Sequence, residues 1–145
     1  MPDSRPPLEQ RVQSAKNLAV SFEKKISEFT TEHNRFKVPA ELVVDYVTKY
    51  LSLFSGQEEL RNAPLLLLQR LQVTDKLELP SASYPSIEFK NCACVGGLHL
   101  SKATVYGTLI FDNLTDNPAF SATFTKVTIE SKFIVKNYYA DDMFI

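Results

Sequence analysis

Two histidines, two cysteines and a scatter of carboxylates are the groups with which this 145-residue chain could do chemistry. Cys92 and Cys94 sit in Asn-Cys-Ala-Cys-Val, and two residues apart on a strand they share a face. A structural zinc site usually takes four ligands, whereas Cys92, Cys94 and His99 offer three within eight residues. The pair therefore reads as reduced cysteines used as small hydrophobes. No metal and no cofactor are expected.

Nucleophilic catalysis needs a Ser, Cys or Thr beside a positioned base, and neither histidine stands in such a motif. His33, in Thr-Glu-His-Asn-Arg, suits the negative end of a helix dipole. His99, between Leu98 and Leu100, takes the polar side of a strand whose leucines face the core. Glu58-Glu59 opens a helix, where acidic residues favour the dipole, and Asp141-Asp142 lies in a tail. Glu78 and Glu88 remain as acid or base candidates, but carboxylates on strands are ordinarily solvated. Gly96-Gly97 precedes strand-like sequence, so it is no phosphate-cradling loop. No catalytic residue is expected, and the chain reads as a non-enzyme.

The groups left for recognition are aromatic. Six tyrosines and ten phenylalanines occur without a tryptophan. A tyrosine keeps a polar tip for water and a flat face for a sugar or peptide, which makes Tyr84, Tyr106, Tyr138 and Tyr139 the candidate contact residues. Net charge is −1, split about +1 for residues 1–71 and −2 for 72–145, without the clustered positive footprint that nucleic acid demands. No run approaches the roughly 18 apolar residues of a membrane span, and the N-terminal Met1-Pro2-Asp3-Ser4 lacks the apolar stretch of an export signal. A cytoplasmic protein is expected. On that reading the sequon Asn113-Leu114-Thr115 goes unmodified.

The elements that must position these residues divide near residue 72. Val12, Ala15, Leu18, Phe22, Ile26 and Phe29 recur at helical spacing, and the face formed by Val12, Leu18, Phe22, Ile26 and Phe29 is a candidate seat for a partner helix. Pro39 opens a second helix carrying Leu42, Val43, Tyr46, Val47, Tyr50 and Phe54. Asn62 and Pro64 cap a third, through Leu65–Leu68 and Leu71. Residues 1–71 thus form a helical segment of about three helices.

From residue 72 to 145 the period falls to two. Strands are predicted over Val73–Leu79, Ser86–Lys90, Thr104–Phe111 and Phe133–Tyr139, with a hairpin at Gly96-Gly97 and a bulge near Thr125-Lys126. No internal repeat is visible. The fold class is α+β, with N-terminal helices followed by an antiparallel, immunoglobulin-like β-sandwich.

Ile87-Glu88-Phe89, then Gly107-Thr108-Leu109-Ile110-Phe111-Asp112-Asn113-Leu114 and Lys126-Val127-Thr128-Ile129, resemble the first strands of family 21 carbohydrate-binding modules. About 45 residues carry the likeness. These modules occur in glycogen-targeting subunits of type-one protein phosphatase and in starch-degrading enzymes, so the resemblance implies a glycogen-associated scaffold. Val20-Ser21-Phe22 is similar to the core of those subunits' V-x-F docking motif, with Ala19 in place of its basic residue. The leading expectation is a non-catalytic protein-interaction or adaptor module. The alternative is polysaccharide or lipid binding by the β region.

Overall fold

The computed structural model describes residues 5–32, 34–112 and 121–136. Helix α1 (Leu8–Ile26) starts behind Pro7, with Glu9 in its first turn and Lys24 and Lys25 in its last, each suited to the dipole end it occupies. A short hairpin of β1 (Thr31–Glu32) and β2 (Arg35–Val38) leads to α2 (Ala40–Leu51). Pro39 stands before α2, and the free Ala40 N–H donates to Asp75 Oδ1 at 3.1 Å. A carboxylate distant in sequence thus caps the helix.

Helix α3 (Gly56–Asn62) comes earlier than predicted, and the leucine run is strand β3 (Leu66–Gln69). Asn62 does not open a helix; its amide donates back to Glu58 O at 2.7 Å. Four leucines in a row carry no period by which helix and strand can be told apart. Burial supplies it here, because Leu66 and Leu68 are buried while Leu65 and Leu67 are not.

After β3 come β4 (Leu71–Val73), β5 (Leu77–Glu78), β6 (Ser83–Tyr84), β7 (Ile87–Lys90), β8 (Ala93–Cys94), β9 (Leu98–Val105), β10 (Leu109–Asp112), β11 (Ala122–Ile129) and β12 (Phe133–Lys136). They build three faces: β2-β4-β8, β3-β7-β10-β12, and β9 flanked by β11 on one side and by β5 and β6 on the other. Every ladder among the described residues is parallel except β1 with β2. The class is α+β, but the antiparallel, immunoglobulin-like sandwich is not what these strands form. The chain visits the three faces in rotation, as in a short parallel β-helix.

That coil is a repeat hidden from the letters. Leu66, Ile87, Leu109 and Phe133 stack in register, so successive turns take 21, 22 and 24 residues. Leu68, Phe89, Phe111 and Val135 stack beside them. Runs expected as single strands are broken by corners: Val73–Leu79 at 74–76, and Thr104–Phe111 at 106–108. The bend expected at Thr125-Lys126 is present, with Lys126 at φ 56° beside Lys102 at φ 50° on the turn before.

Gly96-Gly97 makes a corner of the coil instead of a hairpin. A Cβ on Gly96 would lie 2.5 Å from the backbone carbon of Asp75 on the previous turn. One buried core runs from Ala15, Phe22 and Ile26 through α2 to Phe89, Leu98 and Phe111, joining the helices to the coil. We predict that Gly96→Ala lowers unfolding free energy by about 1–3 kcal/mol, because overpacking against backbone has no flexible partner to yield. Urea denaturation reads this, and an unchanged midpoint would refute the close approach.

Candidate functional site

The four candidate tyrosines do not form one surface. Tyr84 is fully buried, its hydroxyl donating to Pro80 O at 2.5 Å, and burial pushes its pKa upward. It is therefore a core residue and no contact residue. Tyr106 is half-buried, with the Arg61 guanidinium 5.4 Å from its ring centre, a cation–π distance. Tyr138 and Tyr139 lie outside the described residues.

The proposed partner face of α1 is used by the chain itself. Phe22 and Ile26 are buried, and Phe22 stacks on Tyr46 with ring centres 4.2 Å apart and planes 6° apart. Val12, Leu18 and Phe29 are half-buried and pack against the same core. Helix α1 is tied to the first turn by Gln69, whose amide donates to Glu23 at 2.7 Å. Leu18, Phe22, Leu42 and Tyr46 floor a shallow depression between α1 and α2, with Lys25, Asp45 and Lys49 among its rim residues. Lys49 is paired to Asp45 at 2.9 Å.

The groups able to do chemistry are dispersed. Cys92 and Cys94 are free and buried. The Cys92 thiol donates to Leu68 O at 3.2 Å, and desolvation pushes its pKa up to about 12, which leaves negligible nucleophilic thiolate. His99 is half-buried on β9, in register with Glu78 and Thr123. His33 lies outside the described residues. Among the described residues, no three His, Cys, Asp or Glu side chains converge on a metal site, and no helix is long and apolar enough to cross a membrane.

Helix α3 carries the main ion pairs. Buried Arg11 grips Glu59 through both terminal nitrogens, at 2.6 and 2.9 Å, and also donates to Leu53 O and Pro6 O. At the far end of α3, Arg61 holds Glu130 with a shortest contact of 2.6 Å. The hydrogen bonds from Arg11, then from Ser55 N–H, lower the Glu59 pKa to about 2; Arg61 likewise lowers that of Glu130.

The surface that stands out is the last described turn. Leu66, Ile87 and Leu109 are at most 1% exposed, yet Phe133, fourth in the same stack, is 49% exposed. In the neighbouring stack Leu68, Phe89 and Phe111 are buried and Val135 is 44% exposed. Phe111, Phe124 and Phe133 form an aromatic cluster with centres 5.3–6.1 Å apart. Strands β11 and β12 each have one bonded neighbour among the described strands, the position at which a strand presents its outer backbone donors and acceptors for pairing. Residue-by-residue sequence reading missed this edge; the signal was the i to i+21–24 apolar stack.

No protein-family model, curated protein or solved structure matches the chain, so its function is read from its own residues. The electrostatics yield a test of α3. A depressed carboxylate pKa adds stability that is full above the ordinary range near 4.5 and is lost as pH falls towards 2. Glu59→Gln should therefore lower the urea midpoint near neutrality and flatten its decline between those pH values. An acid limb as steep as that of the wild type would contradict the Arg11–Glu59 link.

Proposed function

We propose that this protein is a non-catalytic interaction module whose contact surface is the edge formed by β11 and β12. The observation that carries this reading is the exposure of Phe133 and Val135 at stack positions that every earlier turn buries. Exposed apolar side chains beside unpaired backbone are what strand addition uses: main-chain hydrogen bonds supply affinity, and pockets between alternate side chains supply specificity. Burying one such side chain contributes about 1.5–3 kcal/mol.

Affinity capture with the full chain, compared between wild type, a Phe133→Ser/Val135→Ser double variant and a Val20→Ser control, tests this. Val20 is 67% exposed on α1 and far in sequence from the edge. A partner held by wild type and control but lost by the double variant is expected. Retention by all three would place the contact elsewhere.

A second reading, polysaccharide binding, draws on one feature. Ser101 and Thr125 adjoin in register on β9 and β11, as do Thr104 and Thr128, setting hydroxyls at the roughly 4.8 Å spacing of strands. Tyr106 follows at the end of β9. Co-sedimentation with glycogen, abolished by Thr125→Val/Thr128→Val, is the expected result under this reading; failure to sediment would remove it.

A further inference from the structure

We propose that the corner where Arg35 meets Asn91 is an anion site, holding a hydrogen phosphate ion between the Arg35 guanidinium and the side-chain carbonyl of Gln72. It is separate from the β12 edge and does not depend on the reading given there.

Two buried polar side chains without partners carry the proposal. Arg35 is 4% exposed, and its Nε donates to Asn91 O at 3.1 Å. Its two terminal nitrogens have no hydrogen-bond or ion-pair partner among the described residues. Gln72 is 5% exposed, and its Oε1 is the one buried side-chain nitrogen or oxygen left unbonded among those residues. A guanidinium stays charged in a protein, and burying a charge or an acceptor unpaired is unfavourable. Desolvation is the main influence on Arg35, pushing its pKa down. A ligand that supplies both missing partners relieves both penalties at once.

The two groups share a face. Strand alternation puts Arg35 with Lys37, and Lys37 stands in register with Gln72. Arg35 and Gln72 are thus one strand and two residues apart, about 8 Å between Cα atoms, a span that one ion and two side chains bridge. The terminal nitrogens of Arg35 are not sealed from solvent as Gln72 Oε1 is, so an entering ion meets the guanidinium first.

The ligand's chemistry follows from what is missing. The guanidinium fork offers parallel N–H donors to an oxyanion, whereas Gln72 Oε1 requires a donor. Hydrogen phosphate has both, charged oxygens and a P–OH proton. Sulfate has no proton to give near neutrality, and a phosphate monoester, with a second pKa of about 6, has mostly lost its own. The surrounding charge suits such a dianion. Arg70, beside Arg35 at the start of β4, and Lys90, next to Asn91, are exposed and without an ion pair among the described residues. Of the nearby carboxylates, Glu32 is held by Lys37, and Asp112 lies 4.0 Å from Lys136.

Titration calorimetry and thermal melting of the full chain in phosphate-free buffer test this. Inorganic phosphate should bind and raise the melting midpoint, with sulfate and glycerol phosphate weaker by roughly tenfold or more. Arg35→Lys keeps the charge but loses the fork, and should weaken phosphate binding by roughly tenfold or more. Gln72→Met, close in volume and without the orphaned acceptor, should fold at least as stably and bind phosphate no better than sulfate. Lys16→Ala, which removes an exposed charge from α1, should leave every affinity unchanged. A melting midpoint that phosphate up to about 10 mM does not move overturns the site, as does equal binding of sulfate, or a Gln72→Met variant that still prefers phosphate.

Discussion

Each turn of the coil must leave its face at the point where the turn beneath leaves it, or the next ladder cannot form. The corners enforce this. Arg70 and Asn91 both take left-handed backbone, at φ 56° and 51°, between the faces they join. Each donates its N–H to the turn beyond, Arg70 to Lys90 O and Asn91 to Asp112 O, both at 2.9 Å. Left-handed conformation costs a non-glycine residue roughly 1–2 kcal/mol. Here it is repeated at two corners that each carry the backbone hydrogen bonding on around the bend. With the corners aligned, the side chains of successive turns fall on top of one another and the interior fills in layers.

The constraint also explains why glycine appears where it does. Gly96 passes within contact of the Asp75 backbone, and a Cβ on Gly107 would collide with the Ser86 hydroxyl. At Gly96 the neighbouring turn presents backbone and leaves no room for a side chain, whereas at Gly107 a Cβ would require the Ser86 hydroxyl to turn away. Asp75, at one such corner, also turns its carboxylate to the start of α2, so the bend that sets the coil's register sets the helix as well.

Much of this was legible in the letters at the level of single elements. The amphipathic spacing of Ala15, Phe22 and Ile26 gave α1, Pro39 gave the start of α2, and Ile87 and Phe89 pointed inward as alternation required. Pairing direction was not legible, because a period of two is common to parallel and antiparallel strands. The repeat was masked by turns of unequal length and by stacks that conserve only apolar character, such as Leu66, Ile87, Leu109 and Phe133. The corners at Arg70 and Asn91, with left-handed backbone on non-glycine residues, lack the glycine and proline by which turns are usually recognised. The same blindness led to tyrosines as the contact residues: Tyr84 resembles any strand tyrosine until the turn around it is closed.

A stack of turns in which each touches only its neighbours behaves as a one-dimensional chain and frays from its free end. Helix α3 changes that topology. Glu59 fastens it to α1, and Arg61, 69 residues from Glu130 in sequence, fastens it to the end of β11. The solenoid is thereby strapped from its first helix to its third turn, like a coil spring held by a rod along its side. Loosening the third turn at Glu130 therefore opens a contact to α3, and through Glu59 that helix is held to α1, so the far part of the coil and its first helix share one connecting element.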